Sequence, residues 1–474
     1  MRVPRLLGVT SLLFALCKAS ADPLELTADF SQTSGAIRPL HGVNKGPLGP
    51  GGLIDLTAPF QELRLPGVRL HDCHWPNPDV VDIHVVFPRF EADPEDPRSY
   101  DFAATDAYLE AIRKTGASIV YRLGESIEHT PIRRYVHPPK DPAKWAAICL
   151  GIIRHYNEGW AQGHHWGIRY WEIWNEPENR PAMWSGTDQD YFRLYATTAR
   201  AIRERYPDLK IGGPAVGATG RFVKGEYQPT DFIVQFLETC QREGLPLDFF
   251  SWHGYTADPE EYSVRAHGLR RLLDRHGFPR AESHLNEWNF LPGNSWEALS
   301  RSTPAEKRQE FYETQFGAEG AAFLVMTLLS LQEAPVDHAY FFHGELGGFG
   351  LFNEYGVPQK SFFAVRAFRH LLETSERVPV QGNRPGRLRA LAGRNATGTA
   401  ATVLIANYNE PESALSLRFL HLPWATSSEW EVFRVDATSN PNAPERGRLK
   451  PGQSLPLSLP HPGVLLVRLR PQSQ

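Results

Sequence analysis

From about residue 38 to residue 374 the chain alternates short apolar runs with stretches whose apolar positions recur at helical spacing. The pattern predicts eight strands: Arg38–Val43, Val68–His71, Ser118–Leu123, Arg169–Trp174, Lys210–Gly213, Asp248–His253, Ser283–Trp288 and Ala339–Phe342. Helices are predicted at Asp101–Lys114, Asp141–Tyr156, Asp188–Tyr206, Thr230–Arg242, Pro259–His276 and Thr303–Leu331. Asp101, Asp141 and Thr303 are N-cap candidates, and Gly116 and Gly244 are C-cap candidates. Strands separated mostly by helices predict an α/β fold, a (β/α)8 TIM barrel, which carries its active site at the C-terminal ends of its strands.

The pattern changes after the amphipathic stretch 358–372. Residues 377–474 give short alternating runs such as Thr402–Tyr408 and Trp430–Val435, separated by turns rich in Pro, Gly and Asn. An accessory antiparallel β-sandwich is expected there. Leu24, Leu26, Ala28 and Phe30 alternate in the same way, so residues 22–37 are expected to add a strand to that sandwich, leaving 38–376 as the barrel.

Residues 1–21 read as a secretory leader: Arg2 and Arg5, an apolar run Leu6–Cys17, then Ala19-Ser20-Ala21. Cleavage near Ala21 implies a secreted or periplasmic protein. Loss of Arg2, Arg5 and Lys18 takes the formal charge from −4 to about −7, which argues against nucleic acid or an anionic membrane as partner. Beyond the leader the longest apolar run, Ala321–Leu331, is far shorter than a membrane span. Three cysteines remain, Cys73, Cys149 and Cys240, too few for a disulfide framework. His71-Asp72-Cys73-His74 and His164-His165 cluster donor atoms but match no closed zinc spacing, so neither a metal nor a cofactor is expected.

Two strand ends carry the candidate chemistry. The run Ile168–Ile173 stops at Trp174-Asn175-Glu176-Pro177, and Ser283-His284-Leu285-Asn286-Glu287-Trp288-Asn289 repeats the arrangement about a hundred residues later. A carboxyl at the end of a buried strand is one whose proton affinity the fold can tune, as glycoside cleavage by a carboxyl pair requires. Arg69 near the top of the second strand is expected to pair with Glu287 and hold it ionised, with His71 facing the same way. His41 and Asn44 near the end of the first strand, and His343 and Glu345 after the eighth, are placed to line the pocket. Glu125 is a further carboxylate without an assigned role. Trp75, Trp174, Trp184, Trp252, Trp288, Phe290 and Phe342 crowd the same rim, and sugar rings stack on aromatic faces.

The segments Tyr170–Pro177, Phe249–Tyr255, His284–Trp288 and Gly347–Asn353 resemble glycoside hydrolase family 39 of clan A, the group of β-xylosidases and α-L-iduronidases, over nearly the whole mature chain. The resemblance implies a barrel with a β-sandwich, Glu176 as general acid/base and Glu287 as nucleophile. It also implies that Asn175 bonds the sugar hydroxyl beside the anomeric centre and that Tyr255 donates to the nucleophile. His253 either orients the site or satisfies the barrel rim. Asn44, Arg69, His71, Trp288 and His343 join these as substrate-binding candidates.

The expected activity is retaining hydrolysis, exo-acting on a neutral pentose glycoside, either a β-xyloside or an α-L-arabinoside. A uronate carboxylate calls for a cation beside the sugar, and near the rim the sequence offers Lys45, Arg122 and Arg180. A uronic-acid exoglycosidase, an exopolysaccharide endo-hydrolase and a non-catalytic carbohydrate-binding protein stay open as alternatives.

Overall fold

The computed structural model describes residues 23–73, 79–440 and 443–472; the leader, His74 and Trp75 lie outside the described residues. Eight parallel strands close into a barrel in chain order: Gly42–Asn44, Gly67–Arg69, Ser118–Leu123, Tyr170–Ile173, Lys210–Val216, Phe249–Thr256, Glu282–Phe290 and His338–Phe341. The eighth pairs back onto the first through Tyr340 opposite Gly42 and Phe341 opposite Val43. The first strand begins later than the sequence predicts. Arg38 instead turns its guanidinium to the carbonyls of Val336 and Ala334, tying the chain entry to the start of the eighth strand.

Helices cover the barrel where the apolar periodicity places them. Asp141 caps Pro142–Glu158 by accepting from the amides of Ala143 and Lys144, and Gly244 ends Asp231–Glu243 in the left-handed conformation. The predicted helix 303–331 is two helices, Ala305–Phe316 and Ala318–Ser330, broken at Gly317. A short helix, Thr57–Leu63, and a hairpin, Gly220–Val223 with Glu226–Pro229, have too few periods to be read from the sequence.

The accessory module is a β-sandwich of a four-stranded and a six-stranded sheet. Leu24–Asp29 lies in the smaller sheet, antiparallel to Val380–Gln381 and parallel to Ser413–Leu420. Its alternating Leu26, Ala28 and Phe30 are fully buried among Val403, Leu417 and Leu465 of the two sheets. At roughly 1.5–3 kcal/mol for a large apolar side chain, this burial is what holds the segment in place.

Helix Ala318–Ser330 is apolar all round because it is wedged between barrel strand Glu282–Phe290 and sandwich strands Leu388–Arg394, Ala401–Asn407 and Gly463–Pro471. Arg389 of the sandwich grips Glu260 of the barrel through two contacts of 2.7 and 2.9 Å, and the Tyr408 hydroxyl donates to the Ala257 carbonyl at 2.8 Å. Among the described residues no single helix is long and apolar enough to cross a membrane.

Candidate active site

Three backbone irregularities build the site at the C-terminal end of the barrel. Just past the fourth strand Trp174 and Glu176 adopt φ of 71° and 43°, which swings successive side chains out of strand alternation. In the fifth, pairing slips between Pro214 and Val216, with Ala215 at φ 55°. In the seventh, pairing with both neighbours slips after Leu285, a bulge that turns two consecutive side chains, Asn286 and Glu287, inward. The chain also comes close here. A Cβ on Gly217 would lie 2.4 Å from Glu176 Oε1, so a larger residue there would displace that carboxylate.

Beneath the cavity floor sits a buried polar cluster centred on Arg69. Its Nε donates to Glu172 Oε2 at 2.7 Å, Nη2 to Asn175 Oδ1 at 2.6 Å, and Nη1 to Asn44 Oδ1 at 3.0 Å and Glu287 Oε2 at 3.4 Å. Asn286 donates to the other Glu172 oxygen at 2.5 Å. The expected pairing of Arg69 with Glu287 is therefore present, but the tighter carboxylate partner is Glu172. Arg69 and Asn44 are wholly buried. Both support the site from below, so neither is placed to touch a substrate.

Above this floor a cavity of about 940 Å³ is lined by Glu176 and Glu287 together with His71, Asn175, His253 and Tyr255. The Tyr255 hydroxyl donates to Glu287 Oε1 at 2.5 Å, and His71 Nε2 lies 3.0 Å from Oε2. His253 bridges the two glutamates, with Nδ1 2.8 Å from Glu176 Oε1 and Nε2 3.7 Å from Glu287 Oε2. One oxygen from each glutamate and a His253 nitrogen all lie within 4.8 Å of one another. Asn179 donates to the second Glu176 oxygen at 2.9 Å.

Burial pushes the Glu287 carboxyl up, but the charges of His253, His71 and Arg69 outweigh it and hold the group well below the usual carboxylate range. The imidazole of His253 is raised: burial opposes its charge, and the charge of Glu287 with the Glu176 hydrogen bond overcomes that. Burial, reinforced by Glu287, keeps Tyr255 protonated and hence a donor.

Two substrate-binding candidates face elsewhere. Trp288 is buried against Tyr262 and Phe341, on the helix side of its strand. Strict alternation from Asn286 would turn it inward, and the bulge reverses that. His343 is buried behind the cavity wall, its amide donating to the Phe349 carbonyl at 2.8 Å, while Phe342 and Phe349 face the cavity.

His41 packs on Phe368 in the outer layer, where burial lowers its imidazole to about 4. Glu345 is buried 3.5 Å from Lys45. Glu125 bonds His84 at 2.5 Å and braces the loop after the third strand. Trp174, Trp184, Trp252 and Phe290 belong to the core.

Sequence reasoning missed Asp72, Glu178, Trp296 and Phe349 and placed Lys45 at the rim only as a candidate cation; all five line the cavity. Trp296, about half exposed and edge-on to Tyr255 at 4.9 Å, is carried into the cavity by the loop after the seventh strand. Glu178 stands two residues past Glu176 across Pro177, a spacing visible in the sequence. Its Oε1 accepts from the amides of Gly217 and Ala218 at 2.7 and 2.8 Å, and burial followed by the charge of Glu176 pushes its carboxyl up to about 7.

A closed barrel with two strand-end glutamates sharing one cavity has the architecture of the barrel glycoside hydrolases. Residues 64–271 match the family profile "Glycosyl hydrolases family 39", the family that the sequence motifs resemble. It is 25% identical over 299 residues to a β-xylosidase of Caldicellulosiruptor saccharolyticus, covering 59% of this chain and 56% of the relative. It is 28% identical over 263 residues to a β-xylosidase of Geobacillus stearothermophilus, covering 50% and 48%. The matched part thus spans about half the length of these relatives. Among solved structures, a glucosidase from Croceicoccus marinus superposes with a TM-score of 0.78 at 26% identity, covering 95% of this chain and 100% of that one.

Proposed function

We propose that this protein is an exported, retaining glycoside hydrolase that removes a neutral pentose, a β-xyloside or an α-L-arabinoside, from the end of its substrate. The observation that carries the reading is the approach of the two carboxylates, with oxygens of Glu176 and Glu287 within 4.8 Å of each other. Retaining enzymes hold the pair roughly 5–5.5 Å apart, whereas inverting ones leave roughly 6.5–9.5 Å for a water.

In this reading Glu287, ionised and held by Tyr255, His71 and Arg69, attacks the anomeric carbon. Glu176 protonates the departing oxygen, then takes a proton from the water that releases the sugar. His253 is hydrogen-bonded to Glu176 and holds that carboxyl in place beside the cavity. Asn175, fixed by Arg69, presents its amide beside Glu287, and Trp296 and Phe342 offer apolar faces to the ring. A non-catalytic binding protein would have no use for two carboxylates held this close together.

The neutral-sugar preference rests on the cations. Arg122 is committed to Asp82 at 2.6 Å and Arg180 to Asp188, and neither lines the cavity. Lys45 does line it, beside Glu345. The β-xylosidase relatives support a pentose. Aryl β-D-xyloside, α-L-arabinosides, β-D-glucoside and α-L-iduronide assayed side by side, with the first-formed anomer read by proton NMR, test the proposal. Retention on a pentoside supports it; inversion, or preference for the iduronide, overturns it.

A further inference from the structure

The structure assigns a divalent transition-metal site, of the kind that takes Zn2+, to Asp106, His155 and His164 on the outer face of the barrel. Asp106 comes from helix Ala103–Lys114, His155 from the last turn of helix Pro142–Glu158, and His164 from the loop that follows. One donor atom from each lies within 4.8 Å of the others. His155 Nε2 is 2.9 Å and His164 Nε2 3.5 Å from the same oxygen, Asp106 Oδ1. These separations bracket the donor–donor edge of about 3.3 Å in a tetrahedral zinc site with bonds of 2.0–2.1 Å.

Hydrogen bonding fixes which nitrogen of His155 faces the cluster. Its Nδ1 lies 3.0 Å from the Trp160 carbonyl, which can only accept, so Nδ1 carries a hydrogen and Nε2 is the nitrogen turned to Asp106, where a metal would take the place of the proton in that contact. Metal-ligating histidines are oriented by this same second contact. His164 Nε2 is buried and makes no hydrogen bond. The rings are held in plane by stacking, His155 on Phe102 at 3.5 Å and His164 on Trp166 at 3.9 Å.

The loop delivers His164 at the expense of backbone strain. Ala161 and Gln162 take φ of 55° and 59°, a conformation L-residues avoid. A Cβ on Gly163 would meet the His155 carbonyl oxygen at 2.1 Å, so that turn passes only as glycine. The His164 amide then donates to the His155 carbonyl at 2.6 Å, and its carbonyl accepts from Gly159 at 2.8 Å. Strain spent to seat one imidazole against another is accounted for by a shared ion. The ligands escape a sequence scan for metal spacings because 49 residues separate Asp106 from His155. A water would supply the fourth ligand of the tetrahedron.

Tag-free protein stripped with a chelator and then equilibrated with Zn2+ tests the site by metal counting and by thermal melting. We expect one ion per chain and a raised melting temperature in the unmodified protein. In both Asp106→Asn and His164→Ala the affinity should fall about tenfold or more and the thermal shift disappear, while Glu176→Gln binds as the parent does. Co2+ in place of zinc should give the visible absorption of a tetrahedral ion. Absence of stoichiometric metal in the unmodified protein, or equal binding by the two site variants, overturns the assignment and leaves a His155–Asp106 ion pair in its place.

Discussion

The hydroxyl of Tyr255 donates to Glu287 Oε1 at 2.5 Å, at the point where the sixth and seventh barrel strands run side by side. A hydrogen bond to a carboxylate is worth roughly 1.5–3 kcal/mol. Tyr255→Phe should therefore slow turnover by about ten- to a hundredfold. Removing a donor that favours the ionised form also raises the proton affinity of Glu287, so the acidic limb of the kcat/KM profile should move to higher pH. A profile that merely scales down would assign Tyr255 to packing.

Glu176 touches His253 and Asn179 and opens onto the cavity. Glu176→Ala should cripple substrates with poor leaving groups and spare those with activated aryl groups, which need little protonation. Azide should restore part of the lost rate by attacking the glycosyl-enzyme where base-activated water no longer does. Equal loss on all substrates without azide rescue would count against the acid/base role.

Glu178 makes a prediction about stability. Its carboxyl rises from an ordinary value of 4.5 to about 7 in the folded protein, through burial and then the charge of Glu176. The folded state therefore holds this proton more tightly than the unfolded chain. The contribution is fully present below pH 4.5 and is lost as the pH climbs through about 7. Urea unfolding at pH 5 and pH 8 should show a smaller decline in Glu178→Gln than in the parent; parallel declines would refute it.

Arg69 joins Glu172, Asn175, Asn44 and Glu287 beneath the cavity, wholly out of water. Arg69→Met leaves Glu172 as an unpaired buried charge, a loss that typically costs about 3–5 kcal/mol. A lowered urea midpoint with an unchanged m-value checks this. A variant as stable as the parent would mean that Glu172 takes up a proton at little cost.

The barrel could be read from the sequence because its strands are compact apolar runs, most of them separated by amphipathic helices. Glu176 and Glu287 could be read because they end such runs. Trp288 could not, because the inward turn of Asn286 and Glu287 depends on a bulge that leaves no mark in residue alternation. Asn44 and Arg69 were placed at the correct strand ends, but their depth below the cavity follows from three-dimensional closure. Trp296 and Phe349 sit on loops after strands, where neither period nor cap signals position. Glu178 was legible as a second carboxylate past Pro177, and its insertion behind Gly217 was not.

The central claim is that Glu287 attacks the sugar. It is tested most directly by an activated 2-fluoro glycoside, built on whichever sugar the substrate panel selects, followed by peptide mapping of the trapped protein. The account predicts one sugar per chain, attached to the peptide containing Asn286-Glu287-Trp288, and no trapping in Glu287→Gln. A label on Glu176, Glu178 or any other carboxylate would contradict it.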